Sequence, residues 1–259
     1  MTLVWRPGFE FDADASTYIE AVEAADTQAL ETGVRYAIND FVIGCKNDGI
    51  WDAIKASCIL AGARTTNGAL VPLVGDAPDP YNFDLVSDTD YGRKTGLKGS
   101  GSAKYLDANR NTNADPQNNQ HFGVYLSTAG TPSDSTQLYM GGNSGAGGLS
   151  LGIASSQQFS RSQTSTFVFS GVSTSIGLVA VSRSLSASYI HRSGGSNTSI
   201  TVSSQTPANS SILVFREPSV IGYYTNARIA FYSIGESLNL AALDTRVSDL
   251  ITAIGAAIP

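Results

Sequence analysis

The sequence predicts a mainly-β protein: an antiparallel two-sheet jelly-roll sandwich with an N-terminal helical segment and a C-terminal helix. Charged residues are only 15% of the 259 residues, well below the usual quarter, and 26 glycines with abundant Ser, Thr and Asn take their place. Short apolar or β-branched runs alternate with turn residues over most of the chain. At both ends of the chain the apolar residues recur instead at helical spacing.

Residues 1–60 are predicted to be a helical segment for attachment or assembly. Apolar residues recur at steps of three and four along Tyr18–Ala29 and again along Val34–Val42. A third helical piece, Trp51–Lys55, is expected after the turn at Gly49. Helices this short are marginal in water by themselves, so we expect them to pack on another part of the protein.

Residues 61–235 are predicted to form the sandwich. Short strands at this spacing, separated by Gly, Ser, Asn and Pro, are typical of a β-sandwich or jelly roll. The turn residues Ser193–Asn197 between two strand-like runs indicate a hairpin. The candidate strands are His121–Ser127, Gln137–Met140, Leu149–Ile153, Thr166–Ser170, Ile176–Ser182, Ser186–His191, Ser199–Ser203, Ile212–Phe215 and Ala227–Ser233.

Residues 236–259 are predicted to be a helix with a narrow apolar seam. Two interpretations of the seam stay open. It forms an oligomer interface, for which we expect a homotrimer, or it packs the helix on its own sandwich. The seam residues are Leu240, Leu243, Val247, Leu250 and Ile254.

The charge distribution excludes several classes of partner. Residues 1–56 hold ten acidic and four basic residues and so carry the whole net charge of −6, while the remainder holds twelve of each. No basic stripe is present, so we expect no nucleic-acid partner. No apolar stretch is long enough for a membrane span, and the N-terminus lacks the pattern of a secretory signal, so we expect neither membrane insertion nor a signal peptide.

Metal and cofactor sites are not expected. Cys45 and Cys58 lack the spacing of a zinc or redox pair, and we expect two buried free thiols. Asp84, Asp88 and Asp90 could supply oxygen ligands to Ca²⁺, but they lack the EF-hand order, which favours a solvated loop.

Hydrolytic chemistry has few candidate residues in this chain. No Asp or Glu occurs from residue 135 to residue 216, whereas glycosidases need two carboxylates flanking the scissile bond. His121 and His191 both fall in strand patterns, where an imidazole satisfied by a neighbouring hydroxyl is commoner than a catalytic one. We therefore expect no catalytic residue, and a protein that is not an enzyme.

The most distinctive segment is the polar loop Asp107–Gln120. Its amides and its guanidinium match the donors and acceptors of sugar hydroxyls, and a tyrosine on either side could stack on a pyranose face. The alternative is a solvated turn stabilised by Asx-turns. The candidate glycan contacts are Asn109, Arg110, Asn111, Asn113, Gln117, Tyr105 and Tyr125.

Several blocks of sequence resemble a module that recurs in the structural proteins of tailed-phage virions. The blocks are Asp48–Arg64 (DGIWDAIKASCILAGAR), Gly68–Gly75 (GALVPLVG), Tyr91–Gly99 (YGRKTGLKG), Lys104–Leu106 (KYL) and Arg228–Leu238 (RIAFYSIGESL). These modules look like concanavalin A-like or laminin G-like jelly rolls. The resemblance implies a virion component, commonly a tail fibre or adhesin and sometimes a capsid-surface protein. The Glu-x-Asp-x-x-Glu motif of the glucanases with this fold is absent.

The sequence thus favours a virion protein that binds a host surface glycan through its jelly roll and is fixed to the particle by its N-terminal region. The alternative is a capsid decoration protein, or another purely architectural protein, without a glycan ligand. In either case the expected partners are other virion proteins and further copies of the chain. The expected location is the virion, assembled in the host cytoplasm.

Overall fold

The computed structural model describes residues 11–130, 136–143, 145–173, 176–219 and 222–259. Within these ranges the chain forms two antiparallel sheets, with helices at both ends, and so confirms the predicted mainly-β class. None of the described helices is both long and apolar enough to cross a bilayer.

The elements follow one another along the chain as helices, strands and a closing helix. The helices are α1 (Ala13–Asp26), α2 (Thr32–Asn47), α3 (Thr66–Ala69) and α4 (Leu240–Ala257). The strands are β1 (Ile54–Ile59), β2 (Pro72–Val74), β3 (Asp79–Tyr81), β4 (Tyr91–Gly92), β5 (Gly96–Lys98), β6 (Tyr105–Asn111), β7 (Gln120–Thr128), β8 (Gln137–Gly142), β9 (Leu149–Ala154), β10 (Gln157–Ser162), β11 (Val168–Ser173), β12 (Gly177–Arg183), β13 (Ser188–Ser193), β14 (Ser196–Thr201), β15 (Ser211–Val214) and β16 (Arg228–Gly235).

Neighbouring strands are antiparallel in both sheets. Sheet A has the order β14-β13-β12-β7-β16-β1-β2, with β5 also paired to β16 and β4 paired to β5. Sheet B has the order β11-β10-β9-β8-β15-β6-β3. The predicted hairpin is β13–β14, where Ser193 pairs with Ser196 and both glycines between them have positive φ, as a tight two-residue turn requires.

Sheet A lies between two apolar cores. Alternate residues of β12 show this arrangement: Leu178 and Ala180 belong to the core under the helices, whereas Val179 and Val181 belong to the core shared with sheet B. From α2, the Phe41 ring packs edge-on against Phe231 of β16, with centroids 5.7 Å apart. The protein therefore has three layers, in the order helices, sheet A and sheet B.

The predicted C-terminal seam is buried within its own chain. Helix α4 packs closely along α2, because a Cβ on Gly33 would lie only 2.7 Å from the Cβ of Ala257. The core under the helices contains all the seam residues, each no more than 2% exposed: Leu240, Leu243, Val247, Leu250 and Ile254. Of the two interpretations of the seam that the sequence left open, the structure shows packing within the same chain. The homotrimer stays a prediction, and it would have to use another surface.

The segment after Gly49 differs from the predicted helix. Trp51–Ala53 form a single 3₁₀ turn, and β1 begins at Ile54 and pairs with β16 and β2. Sheet A is covered on both faces, so this strand is buried almost throughout and shows no apolar–polar alternation. A helix and a fully buried strand are difficult to distinguish from so short an apolar run.

The N-cap of α4 gives a first testable prediction. The Asn239 side chain accepts hydrogen bonds from the N–H groups of Ala241 and Ala242, at 3.0 and 3.3 Å. Asn239→Ala leaves these donors without that acceptor, and we expect a loss of about 1 kcal/mol in the free energy of unfolding. Urea denaturation measures it, and an unchanged midpoint would contradict the role of the cap.

Candidate functional site

The predicted sugar-binding loop is divided by the structure. Its first part forms the end of β6, and the rest is a turn that leads into β7. Arg110 forms a two-pronged ion pair with Asp115, Nε to Oδ2 at 3.0 Å and Nη2 to Oδ1 at 2.6 Å. The guanidinium that was expected to bind a sugar therefore holds its own turn together.

The amide side chains of this loop also contact their own protein. Asn111 Nδ2 donates to Asn209 at 2.8 Å, and Gln117 Nε2 donates to Ser204 at 2.8 Å, which ties this turn to the segment before β15. Asn113 is exposed at the tip of the turn. These contacts fit the alternative of a structural turn, and the sugar-binding role of the loop remains a prediction.

The two flanking tyrosines lie on different layers. Tyr125, on β7 of sheet A, packs against the core under the helices. Tyr105, on β6 of sheet B, packs partly against the core between the sheets and also contacts an aromatic cluster that the sequence did not indicate. The structure therefore does not bring the two tyrosines together around the loop.

A tyrosine patch at the β3–β6 edge of sheet B is the strongest candidate site. It consists of Tyr81, Tyr105, Arg216 and Tyr224. The β3–β6 register places Tyr81 opposite Tyr105, and their rings stack with centroids 4.3 Å apart and planes 8° apart. The Arg216 guanidinium lies 5.0 Å from the Tyr105 ring centroid and 4.8 Å from that of Tyr224, within the range of cation–π attraction.

The outermost ring of the patch is open to solvent. Tyr81 is 44% exposed, which is high for a large aromatic side chain, while Tyr105 is half-buried beneath it. Partial burial raises the pKa of the Tyr105 phenol, with the neighbouring Tyr81 as a further cause, so its hydroxyl keeps its proton at neutral pH. The patch offers a flat apolar face with a hydroxyl donor beside it.

Polar side chains border the patch on the same two strands. Asp79 pairs with Asp107 across β3 and β6, two residues from the tyrosine pair, so both acids share its face of the sheet. Asn109 adopts a left-handed backbone (φ 52°), and its side-chain amide donates to the Ala77 carbonyl at 2.8 Å and to Asp79 Oδ2 at 3.2 Å. One of the predicted sugar contacts, Asn109, therefore does lie beside the patch.

The segment between β15 and β16 carries Arg216 and Tyr224 to the tyrosine patch. Its described residues, 216–219 and 222–224, are called the crossing loop. The ends of the loop are joined by a hydrogen bond from the Thr225 N–H to the Phe215 carbonyl, at 3.1 Å. Its second half is fixed where the Leu138 N–H donates to the Tyr223 carbonyl at 3.1 Å. The loop therefore lies against β8, which β15 separates from β6 of the tyrosine pair.

A buried ion pair anchors the first half of the crossing loop. Glu217 Oε2 accepts hydrogen bonds from Arg161 Nη2 and Ser150 Oγ, both at 2.9 Å, and the side chains of Arg161 and Glu217 are 0% and 1% exposed. Burial raises the pKa of Glu217 and lowers that of Arg161, whereas the attraction between the two opposes both shifts. The paired, ionised form is the one that these contacts stabilise.

A second aromatic cluster lies at the other end of sheet B. Phe167 and Phe169 are 43% and 49% exposed and pack edge-on against the buried ring of Phe159. With Tyr223 of the crossing loop they line a small pocket of about 150 Å³. Unlike the tyrosine patch, this pocket has few polar groups to orient a ligand.

The histidines occupy positions unsuited to catalysis. His121 Nδ1 donates to the Glu236 carbonyl at 2.5 Å, and its Nε2 accepts from the Ser233 hydroxyl at 2.7 Å. This Ser–His pair is buried, with exposed fractions of 0% for Ser233 and 1% for His121, so a substrate has no access to it. His191 is likewise 1% exposed.

The candidate metal ligands have protein partners. Asp84 and Asp88 accept hydrogen bonds from backbone N–H groups, and Asp90 contacts the Lys104 ammonium. In the part of the chain that the structure describes, no three His, Cys, Asp or Glu side chains are grouped as a metal site. Cys45 and Cys58 are buried free thiols, as the sequence predicted, and burial raises the pKa of Cys45 to about 12.

The sequence matches no described protein family and no curated protein sequence. Among solved structures, the fold is similar to the receptor binding domain of botulinum neurotoxin D, with a TM-score of 0.52 and 12% identity over 76% of this chain and 52% of that chain. It is also similar to a mutant of Trypanosoma rangeli sialidase that displays trans-sialidase activity, with a TM-score of 0.50 and 10% identity over 83% of this chain and 39% of that chain. The chain thus spans about half, or less, of the length of these structures. At this identity the likeness shows the fold alone, a two-sheet jelly-roll sandwich.

Proposed function

We propose that the protein is a non-enzymatic, host-binding component of a tailed-phage virion and that its tyrosine patch binds a surface glycan. The observation that carries the proposal is the stacked pair Tyr81–Tyr105, solvent-exposed on its outer side and bordered by carboxylates, an amide and a guanidinium. Such a combination is what a sugar ring needs, because its C–H face packs on an aromatic ring while its hydroxyls require nearby donors and acceptors.

The three-layer arrangement supports an outward-facing patch. Sheet A separates the helices from sheet B, so the helical layer and the tyrosine patch lie on opposite sides of the protein. An attachment surface on the helical layer would leave the patch free to meet a host cell. The proposed place in a virion rests on the sequence blocks that resemble phage structural modules. The similarity of the fold to a receptor binding domain is consistent with the adhesin hypothesis.

The alternative is a capsid decoration or other architectural protein, in which the same surface contacts only virion neighbours. A low-resolution image of intact particles labelled on this protein distinguishes the two. A label at the tail supports the adhesin. A label spread over the capsid face, together with no glycan binding, would favour the decoration protein.

The binding test uses purified capsular polysaccharides, O-antigens and teichoic acids as an immobilised panel. Tyr81→Ala removes the exposed ring, and we expect about a tenfold loss of affinity for any glycan that binds, which corresponds to about 1.4 kcal/mol. Tyr36→Ala is the matched control, because Tyr36 of α2 is a comparably exposed tyrosine at 38% on the opposite layer. Equal affinity of the two variants, or no binding to any member of the panel, would contradict the proposal.

A further inference from the structure

A polar pocket of about 310 Å³ lies where β5 ends and the loop to β6 begins. Among the described residues that line it are two cations, Lys98 and Lys104, and one carboxylate, Asp90. The lining therefore has a net positive charge. The remaining lining residues are neutral: Thr89, Gly99, Ser100 and Asn226.

The two lysines of this lysine pocket differ in their partners. Lys104 Nζ pairs with Asp90, a carboxylate that is only 8% exposed and also accepts from the Asp84 N–H at 3.0 Å. Lys98 is exposed, and no carboxylate of the described residues lies within ion-pair distance of its ammonium. Its backbone is nonetheless fixed, because its N–H donates to the Asp90 carbonyl at 2.8 Å. The pocket therefore presents one ammonium group whose charge is uncompensated.

The loop that carries the pocket is held in place by its own hydrogen bonds. Ser100 Oγ accepts from the Lys104 N–H at 3.1 Å, which closes the loop on itself. The Gly101 N–H donates to the Thr225 carbonyl at 3.1 Å, which ties the loop to the segment before β16. Because Ser100 uses the lone pairs of its oxygen here, its hydroxyl proton remains to donate to a ligand.

The lysine pocket borders the tyrosine patch. Lys104 immediately precedes Tyr105, and Asn226 comes two residues after Tyr224. An extended chain advances about 3.3 Å per residue, so the backbones of the pocket and of the patch lie within roughly 7 Å of each other at both points. One oligosaccharide can therefore contact both.

The charges along β6 differ on the two sides of Tyr105. Lys104 precedes it, whereas Asp107, which pairs with Asp79 of β3, follows it by two residues. An anionic group is attracted at the lysine end and repelled at the acidic end. A negatively charged ligand of the patch is therefore expected to bind in one orientation, with its charge towards the lysine pocket.

We propose that the lysine pocket binds the anionic group of an acidic glycan, a carboxylate or a phosphate, while a neighbouring sugar ring packs on Tyr81. This inference rests on the proposed glycan-binding function of the patch and specifies the class of glycan. Lys98 supplies the uncompensated charge, and Ser100 supplies a hydroxyl donor beside it. A neutral sugar has no group for this pocket and contacts the patch alone.

The chemical shifts of backbone amides in the isotopically labelled full chain test the proposal with three soluble probes. D-Glucose is neutral, D-glucuronate carries a carboxylate, and α-D-glucose 1-phosphate carries a phosphate. We expect at least one of the anions, and not glucose, to shift the amides of residues 98–104 and 226. The anion that does so at the lower concentration identifies the group, carboxylate or phosphate, that the pocket prefers.

Two lysine variants test the role of the uncompensated charge. Lys98→Gln should weaken binding of the preferred anion about threefold or more, because the pocket loses its uncompensated cation. Lys94→Gln is the matched control, since Lys94 is also exposed, lies on the neighbouring β4–β5 turn and is not among the residues that line the pocket. Equal weakening in the two variants, or equal shifts at the pocket with glucose and with both anions, would overturn the proposal.

The same titrations separate this inference from the proposed function. Shifts at Tyr81 and Tyr105 with all three probes, and none at the lysine pocket, would retain the patch as a sugar site and exclude the anion site. Shifts at the pocket alone would overturn the packing of a sugar ring on Tyr81. The absence of shifts with every probe would overturn both.

Discussion

Glu217→Gln is expected to lower the free energy of unfolding by about 3 kcal/mol or more. The substitution keeps the size of the side chain but leaves the Arg161 guanidinium buried without its counter-charge, and removing one partner of a buried ion pair typically costs 3–5 kcal/mol. Ser150 also loses its charged acceptor. The loss should appear as a lower urea midpoint with an unchanged dependence of the free energy on denaturant concentration.

An exposed ion pair supplies the matched control for this prediction. Glu236→Gln removes the partner of Lys55 at 3.4 Å, where the two side chains are 41% and 36% exposed, and it should change stability by less than about 1 kcal/mol. Because Glu217 anchors the crossing loop, its variant should also weaken glycan binding through Arg216. Equal effects of the two Gln substitutions would contradict the anchoring role of the buried pair.

Acidification to pH 5 is expected to remove about 2 kcal/mol of stability for each buried histidine, relative to pH 7.5. Burial lowers the pKa of both His121 and His191 to about 4, against an ordinary value of 6.5. The unfolded chain therefore binds more protons than the folded one between about pH 4 and pH 6.5. Stability is fully present above this window and is lost as the pH falls through it.

His191→Gln isolates one half of this effect. No hydrogen-bond partner in the described residues meets either ring nitrogen of His191, so its neutral form is held by burial alone. The variant should lose about half as much stability as the parent between pH 7.5 and pH 5. The ion-paired carboxylates Asp12, Glu23 and Glu31 have lowered pKa values and lose their contribution only below about pH 4.5, outside this interval. An identical pH dependence of parent and variant would exclude His191 as a cause.

The spacing of apolar residues predicted the elements that have one buried face and one solvated face. The seam of α4 recurs at helical spacing because one side meets α2 and sheet A while the other is solvated. The β13–β14 hairpin was recognisable from its glycines, which supply the positive φ of its turn. In both cases the signal lies within a single local stretch of sequence.

Two of the strands that escaped prediction, β10 and β6, have atypical faces. The sequence of β10 (Gln157–Ser162) is typical of a polar loop, yet Arg161 and Ser160 on it are fully buried. Arg161 forms an ion pair with Glu217, and Ser160 forms a hydrogen bond with Tyr189. The sequence of β6 is also typical of a loop, because most of its outward positions are polar. Asn109 interrupts the pairing of β6 with β15. Polar residues that are buried against polar partners leave no hydrophobic periodicity in the sequence from which a strand could be predicted.

The candidate site depends on contacts between residues that are distant in the sequence. Tyr81 meets Tyr105 only through the β3–β6 register, and Arg216 reaches them only because the crossing loop is anchored at Glu217. The sequence did single out Tyr105 and Asn109, which lie at the patch. It could not show that Arg110 would pair with Asp115 in its own turn.

Hydrogen–deuterium exchange with and without a binding polysaccharide from the panel tests the central claim most directly. Ligand at the tyrosine patch should slow exchange of backbone amides in residues 79–81, 105–109 and 222–225, and leave α2 and α4 unchanged. Protection confined to the turn 112–119, or to the helical layer, would contradict the assignment of the tyrosine patch as the glycan site.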